Sequence, residues 1–171
     1  MIVNRQRRVA IAIKPLADFC QRVRRELRFP ENGVTVCLIS DAVMAQLNQT
    51  FRGKNTSTDV LSFPAMPLPP KRSARQASRN GPDRGDRLNS EYHLNREYDT
   101  GHDACSYVGD IAISPETAQR NARRSSRALT AELRILILHG MIHLAGYDHE
   151  TDAGQMEKFE RRLRRRFGLP R

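Results

Sequence analysis

The chain has 171 residues and a formal net charge of +10, with arginine far more common than lysine. A chain of this length is expected to form one domain with a sizeable core, and it contains no apolar run of transmembrane length. The polar, basic start lacks the apolar stretch of an export signal, so we expect a cytoplasmic protein. The positive charge favours a polyanionic partner, nucleic acid first, although arginines scattered over solvated faces would give the same composition.

The first part of the chain shows strand and helix patterns in turn. Apolar residues alternate over 9–13, which predicts a strand, and Pro15 then suits the first turn of a helix. The apolar, β-branched run over 34–39 predicts a second strand. Asp41 is expected to cap a short helix after it.

The polar stretch 48–59 is predicted to be a loop that leads into a short strand over 60–63. Arg52 and Lys54 flank Gly53, so the backbone there could let an anion approach closely. An ordinary solvated loop would show the same residues, and both interpretations stay open.

Residues 67–103 differ in composition from the rest of the chain. Prolines come first, arginine, serine, asparagine, glycine and aspartate then dominate, and the sparse apolar residues have no period. Such a segment cannot bury enough apolar surface to offset the entropy of ordering, which predicts a disordered insertion. Its histidines, His93 and His102, are expected to face solvent and not to bind a metal.

Regular patterns resume with a predicted strand over 108–113. Ser114, followed directly by proline and glutamate, is a good helix start, and Thr130 is expected to cap the next helix. That helix is apolar on most sides, which predicts a central, buried position. A last helix from about Thr151 carries a basic stripe, which is either a phosphate-binding surface or a solvated helix end.

The strongest motif lies at 139–149, which holds three of the five histidines. His139 and His143 are four residues apart and therefore share one face of a helix. Gly146 can take the left-handed conformation that ends a helix, so the chain can turn and bring His149 back as a third ligand. Three neutral imidazoles leave the fourth tetrahedral position of a zinc ion open, which is typical of a catalytic site.

Several stretches together resemble the YbeY family of bacterial metal-dependent endoribonucleases that act in rRNA maturation. The resemblance runs from the first strand to the last helix and leaves out roughly 67–103. It rests on the residues 52–54, 58–64 and 109–114 and on the three-histidine segment. The long insertion before Tyr107 is a departure from the family pattern.

The resemblance implies one zinc ion per chain, held by His139, His143 and His149, with Arg52 and His139 in the catalytic set. It implies an α+β fold, a small mixed sheet of about four strands packed with helices, with the three-histidine site on a central helix and the following turn. It also implies a single-strand-specific endoribonuclease that matures the 16S rRNA 3′ end and serves ribosome quality control. The expected partners are precursor rRNA, the small ribosomal subunit and its assembly factors.

Chemistry supports this interpretation but leaves alternatives open. A zinc ion on three histidines lowers the pKa of bound water from about 16 to about 7, and the guanidinium of Arg52 suits charge growing on phosphorane oxygens. Asp59 and Asp148 are candidate hydrogen-bond acceptors for the ligand rings. One alternative is a ribosome assembly factor with a purely structural zinc. Another is a metzincin-like peptidase, which shares the histidine spacing but has glutamate where this chain has Gly140.

Overall fold

The structure, a computed structural model, describes residues 1–65, 107–149 and 152–170, so the predicted insertion with its two histidines lies outside the described residues. The strands of the described part are β1 (Ile2–Asn4), β2 (Val34–Leu38), β3 (Val60–Pro64) and β4 (Gly109–Ile113). The helices of the same part are α1 (Ile13–Glu26), α2 (Asp41–Arg52), α3 (Pro115–Arg124), α4 (Leu129–Leu144) and α5 (Gln155–Phe167). The strands form one mixed sheet in the order β1-β2-β4-β3, in which only β3 runs antiparallel to its neighbour. The predicted α+β class with a small mixed sheet is confirmed.

Alternate residues of β4 supply the two faces of the sheet, as the twofold repeat of a strand requires. Ile111 and Ile113 belong to the main core with α1, α4 and α5, whereas Ala112 packs with Met44 of α2 in a smaller cluster. The predicted central helix is α4, most of whose residues are buried. Among the described residues, no helix combines the length and the apolar character that a membrane span requires.

The prediction of a strand over 9–13 is wrong. The sheet takes Ile2–Asn4 as its first strand instead, and α1 already begins at Ile13. Val9 is buried, but its backbone hydrogen bonds go to the side chain of Gln6: the Val9 amide donates to Oε1 at 2.9 Å, and its carbonyl accepts from Nε2 at 2.9 Å. A local side chain thus satisfies the backbone groups that a neighbouring strand would otherwise satisfy.

The helix starts were predicted in part. Ser114 caps α3 as expected, because its hydroxyl accepts from the Thr117 amide at 3.3 Å. The cap of α2 is Ser40 and not Asp41, which is already the first helical residue. Thr130 is not a cap either, since α4 begins at Leu129 after Ala128 and has no side-chain cap. The apolar pattern predicts where a helix lies more reliably than it predicts the residue at which the helix begins.

The last helix also begins later than expected, at Gln155. The side chain of Asp152 accepts hydrogen bonds from the backbone amides of the first turn, at 2.8 Å from Gly154, 3.0 Å from Gln155 and 2.8 Å from Met156. An aspartate at this place both satisfies free amides and suits the positive end of the helix dipole.

Asp41 connects α2 with its surroundings. Its carboxylate accepts hydrogen bonds from the hydroxyls of Ser57, Ser114 and Thr117, and it pairs with Arg120 at 2.7 Å. Burial alone would raise the pKa of this carboxyl, but these donors outweigh it and hold the pKa well below its usual range. The side chain of Asp41 therefore connects the loop that follows α2 with the start of α3.

Replacing Asp41 with asparagine should lower the free energy of unfolding by about 1–3 kcal/mol at neutral pH, because several donors lose a charged acceptor. The folded-state pKa is below the unfolded value of 3.8, so the contribution is complete above that pH and is lost as the pH falls through the folded pKa. Denaturant unfolding of the wild type and of Asp41→Asn should thus show a difference in the free energy of unfolding that becomes smaller below pH 4. Asp18→Asn is the control, because this exposed residue pairs with Lys14 alone among the described residues and its replacement should cost about 0.5 kcal/mol at most. An equal loss in both variants would contradict the role of Asp41.

At Gly140, α4 packs directly on the sheet. A Cβ atom at this position would lie 2.8 Å from Cγ2 of Ile111 and 3.1 Å from the Ser62 hydroxyl. The same hydroxyl donates to the carbonyl of Gly140 at 3.3 Å. A larger residue here would push the helix away from β3 and β4.

Gly140→Ala should therefore destabilise the protein. Overpacking against the fully buried Ile111 costs about 1–3 kcal/mol, and the better helix propensity of alanine returns at most about 1 kcal/mol. We expect a lower midpoint in thermal or urea unfolding. An unchanged or higher midpoint would show that the helix has room to move.

Candidate metal centre

The three histidines are brought together by α4 and the turn that follows it. His139 and His143 lie one turn apart near the end of α4. Gly146, with φ of +91°, ends the helix as predicted: its amide donates to the carbonyl of His143 at 2.9 Å. The chain then reverses, and His149 returns to the face of the helix that carries the other two rings.

The imidazoles form a compact triangle. The ring centroids of His139 and His143 are 4.7 Å apart, and that of His149 lies 5.7 Å and 5.2 Å from them. One ring nitrogen from each residue lies within 4.8 Å of the others, which allows the three to hold one metal ion. His149 is exposed and the other two are partly buried, so the group is open to solvent on one side. Neutral imidazoles in this arrangement fit a divalent ion such as zinc.

The pKa of His143 is shifted by its surroundings. Burial, followed by the positive charge that His139 and His149 would carry, lowers its pKa to about 4. The ring is therefore neutral near neutral pH and offers an unprotonated nitrogen. Only a neutral imidazole can act as a metal ligand.

An acidic residue that the sequence interpretation missed supports the triangle. Oε2 of Glu160, on α5, lies 3.0 Å from Nδ1 of His139, and Oε1 accepts from Nε of Arg164 at 2.9 Å. Burial alone would raise the pKa of Glu160, but the contacts with His139 and Arg164 outweigh it and lower the pKa. The sequence did contain a signal for Glu160: it falls on the apolar face of α5, where a single carboxylate is unusual.

The acceptors proposed from sequence have other contacts or a different position. Asp59 accepts from Asn121 of α3 at 3.1 Å and from the Val60 amide at 2.9 Å. Asp148 lies in the turn between the second and third histidines, where its charge favours the protonated form of His143. The direct partner found for Nδ1 of His139 is Glu160.

Arg52 opens onto the same cleft as the histidines. The cleft has a volume of about 270 Å³, and its walls come from the end of α2, from β3 and from the end of α4. Its lining includes Arg52, Thr58, Asp59, Ser62, the three histidines and Asp148. Lys54, by contrast, is exposed and does not line the cleft. Of the two cations that flank Gly53, the structure thus places Arg52 beside the histidines and leaves Lys54 outside the cleft.

The position of Arg52 follows from a longer α2 than the sequence predicted. Residues 48–52 are helical, and the side-chain amide of the buried Asn48 donates to the carbonyl of Thr56 at 2.7 Å, which joins the end of α2 to the loop that follows it. Gly53 then ends the helix in the left-handed conformation, with φ of +66°. Arg52 is thus the last residue of α2 and not part of the loop that follows.

The geometry around Gly140 argues against a peptidase. In the metzincin pattern the residue after the first histidine is a glutamate that acts as general base. Here the Cβ direction of this residue points at Ile111 and Ser62 of the sheet, where a longer side chain has no room. The chain therefore lacks both this carboxylate and the space for it. A three-histidine group beside an arginine in an open cleft instead has the features of a metal-dependent hydrolase.

Comparison with known proteins identifies the family. The family model described as Endoribonuclease YbeY matches residues 1–168, and this chain belongs to that family. A relative from Koribacter versatilis named Endoribonuclease YbeY is 34% identical over 170 residues, which cover 99% of this chain and 87% of that protein. A second, from Syntrophotalea carbinolica, is 30% identical over 166 residues, covering 95% and 91% of the two chains. The resemblance seen in the sequence is confirmed.

A solved structure agrees with the fold. The solution structure of a Thermotoga maritima protein superposes with a TM-score of 0.54, at 24% sequence identity, and the match covers 98% of this chain and 90% of that one. At this identity the likeness supports the architecture alone.

The ligand assignment can be tested by metal analysis. Purified wild-type chain should bind one zinc ion, and His139→Ala, His143→Ala and His149→Ala should each lose most of it, because two imidazoles make a much weaker site. His93→Ala is the matched control and should retain the wild-type stoichiometry. Zinc retained at one per chain in all three ligand variants would refute the assignment.

Proposed function

We propose that this chain is a zinc-dependent, single-strand-specific endoribonuclease of rRNA processing that acts at the 3′ end of 16S rRNA. The observation that carries the proposal is the convergence of three imidazoles and an arginine on one cleft in a member of the endoribonuclease YbeY family. The net charge of +10 suits a polyanionic substrate. Precursor rRNA, the small ribosomal subunit and its assembly factors are the proposed partners, and the cytoplasm is the proposed location.

The histidines hold the metal, and the rest of the cleft handles the substrate. Zinc, when bound, polarises a phosphoryl oxygen and lowers the pKa of a coordinated water to about 7. His139, His143 and His149 bind the ion through neutral ring nitrogens and leave the open side of the triangle to the RNA. His139 therefore belongs to the catalytic set as a ligand.

Arg52 is the proposed electrostatic catalyst. Arg52 lines the cleft, and its side chain makes no hydrogen bond or ion pair with another described residue. A planar guanidinium can donate two parallel hydrogen bonds to phosphoryl oxygens, on which negative charge grows during cleavage. Its attachment to the end of α2 limits the motion that would otherwise weaken this contact.

The second candidate is an assembly factor whose zinc is only structural. Structural zinc sites are normally closed by four protein ligands, whereas the described residues supply three, one of them exposed. Metal analysis joined to cleavage assays on precursor rRNA and on casein separates the candidates. Metal with RNA cleavage supports the endoribonuclease, metal with neither activity supports the assembly factor, and casein cleavage would support a peptidase.

Replacing Arg52 with alanine should reduce RNA cleavage about 10²–10³-fold, because a positioned donor to the developing charge is lost. Arg52→Lys should recover only part of the rate, since an ammonium keeps the charge but not the fork. Zinc content and unfolding midpoint should not change in either variant. Single-turnover cleavage of a labelled rRNA fragment measures the effect.

Lys54→Ala provides the control for that experiment. Lys54 is a nearby cation that does not line the cleft. Its replacement should therefore reduce the RNA cleavage rate only slightly, by weakening the long-range attraction between the protein and the RNA. Equal losses in Arg52→Ala and Lys54→Ala would show that Arg52 acts only through general positive charge.

A further inference from the structure

Glu160 is a buried charge with two specific partners. Only 9% of the residue is exposed, and a carboxylate this buried is stable only when it is paired and hydrogen-bonded. Within the described part of the chain, each of its oxygens contacts one residue: Oε2 faces Nδ1 of His139 at 3.0 Å, and Oε1 faces the guanidinium of Arg164, with Nε at 2.9 Å. The carboxylate thus links the outside of α5 to the first histidine of the cleft.

The contact with Glu160 determines which nitrogen of His139 is protonated. An ionised carboxylate can only accept a hydrogen bond, so Nδ1 of His139 carries the proton and Nε2 keeps its lone pair. Nε2 is the atom that faces the other imidazoles, since it lies 3.1 Å from Nε2 of His143. One hydrogen bond therefore fixes both the tautomer and the direction of the ring.

Arg164 holds the carboxylate in place. Its side chain is only 23% exposed and reaches Oε1 from one turn further along α5. Because this oxygen is occupied, Oε2 is left for His139. The positive charge also offsets the cost of burying a carboxylate.

We propose that Glu160 is a positioning residue that sets the affinity of the three-histidine centre for zinc, with Arg164 as its anchor. The proposal rests on the proposed metal site and adds to it a residue of α5 that acts through its contact with His139. Histidine ligands bind metals more tightly when the second ring nitrogen donates to a carboxylate, and loss of such a partner weakens binding about 10–100-fold.

Helix α5 is held in place by contacts other than those of Glu160, so a substitution of Glu160 can be studied without displacing the helix. Phe159 stacks on Tyr147 in the turn after α4, with ring centroids 4.9 Å apart. Met156, Phe159 and Leu163 also belong to the main core. A change of the carboxyl group alone should leave α5 docked.

The experiment compares zinc affinity in Glu160→Gln and in Glu157→Gln by competition with a chelator. Glu157 is the matched control because it makes the same ion pair, with Arg161 at 2.6 Å, but its side chain is 74% exposed. We expect a zinc Kd at least about tenfold weaker in Glu160→Gln and unchanged in Glu157→Gln. Arg164→Gln should give a smaller loss, and it serves as the test if Glu160→Gln fails to fold. Equal Kd values in wild type and in the folded variants would overturn the proposal while leaving the metal site intact.

A measurement on the metal-free protein separates this proposal from the site itself. Nitrogen-15 NMR of the imidazoles should show the Nδ1–H tautomer for His139 in wild type and in Glu157→Gln. In Glu160→Gln the population should shift toward Nε2–H. The same tautomer in all three proteins would overturn the positioning role. Failure of the wild type to bind zinc would overturn both the metal centre and the role of Glu160 in its affinity.

Discussion

The close approach of α4 to the sheet at Gly140 is the constraint on which the site depends. Without a side chain at this residue, the helix can lie directly on Ile111 and Ser62, and its neighbour His139 is then held beside β3. The cleft is the space between the end of that helix, the edge strand β3 and the last turn of α2. A helix standing further from the sheet would carry the same histidines, but Arg52 would no longer share a wall with them.

Helix α5 supports the site from the other side, with one face in the core and the remaining faces exposed to solvent. Its apolar face joins the main core, and within that face one carboxylate reaches His139. Its remaining faces carry arginines, several of them in ion pairs with Glu157, Glu160 and Glu26. The basic stripe is therefore neutralised in part by the protein's own acids. Its contribution to an RNA surface is smaller than the count of arginines indicates.

The sequence predicted the parts of this protein whose signal is local. The histidine spacing, the glycine after it and the apolar pattern of α4 are each read within a few residues, and the structure brings the three rings together as expected. The strand over 9–13 failed because a single side chain, Gln6, replaced a strand partner, which no periodicity records. Glu160 was missed because its partner lies 21 residues away, and only the packing of α5 makes that contact. The roles of the site residues remain predictions.

The register of β3 and β4 has a consequence for how this fold can change in evolution. Pro64 lies opposite Gly109, so the two strand ends are joined by sheet pairing and not by the length of chain between them. Closing a longer connection costs only about 0.6 kcal/mol for each doubling of its length. A flexible stretch can therefore be gained or lost at this edge of the sheet at small cost in stability.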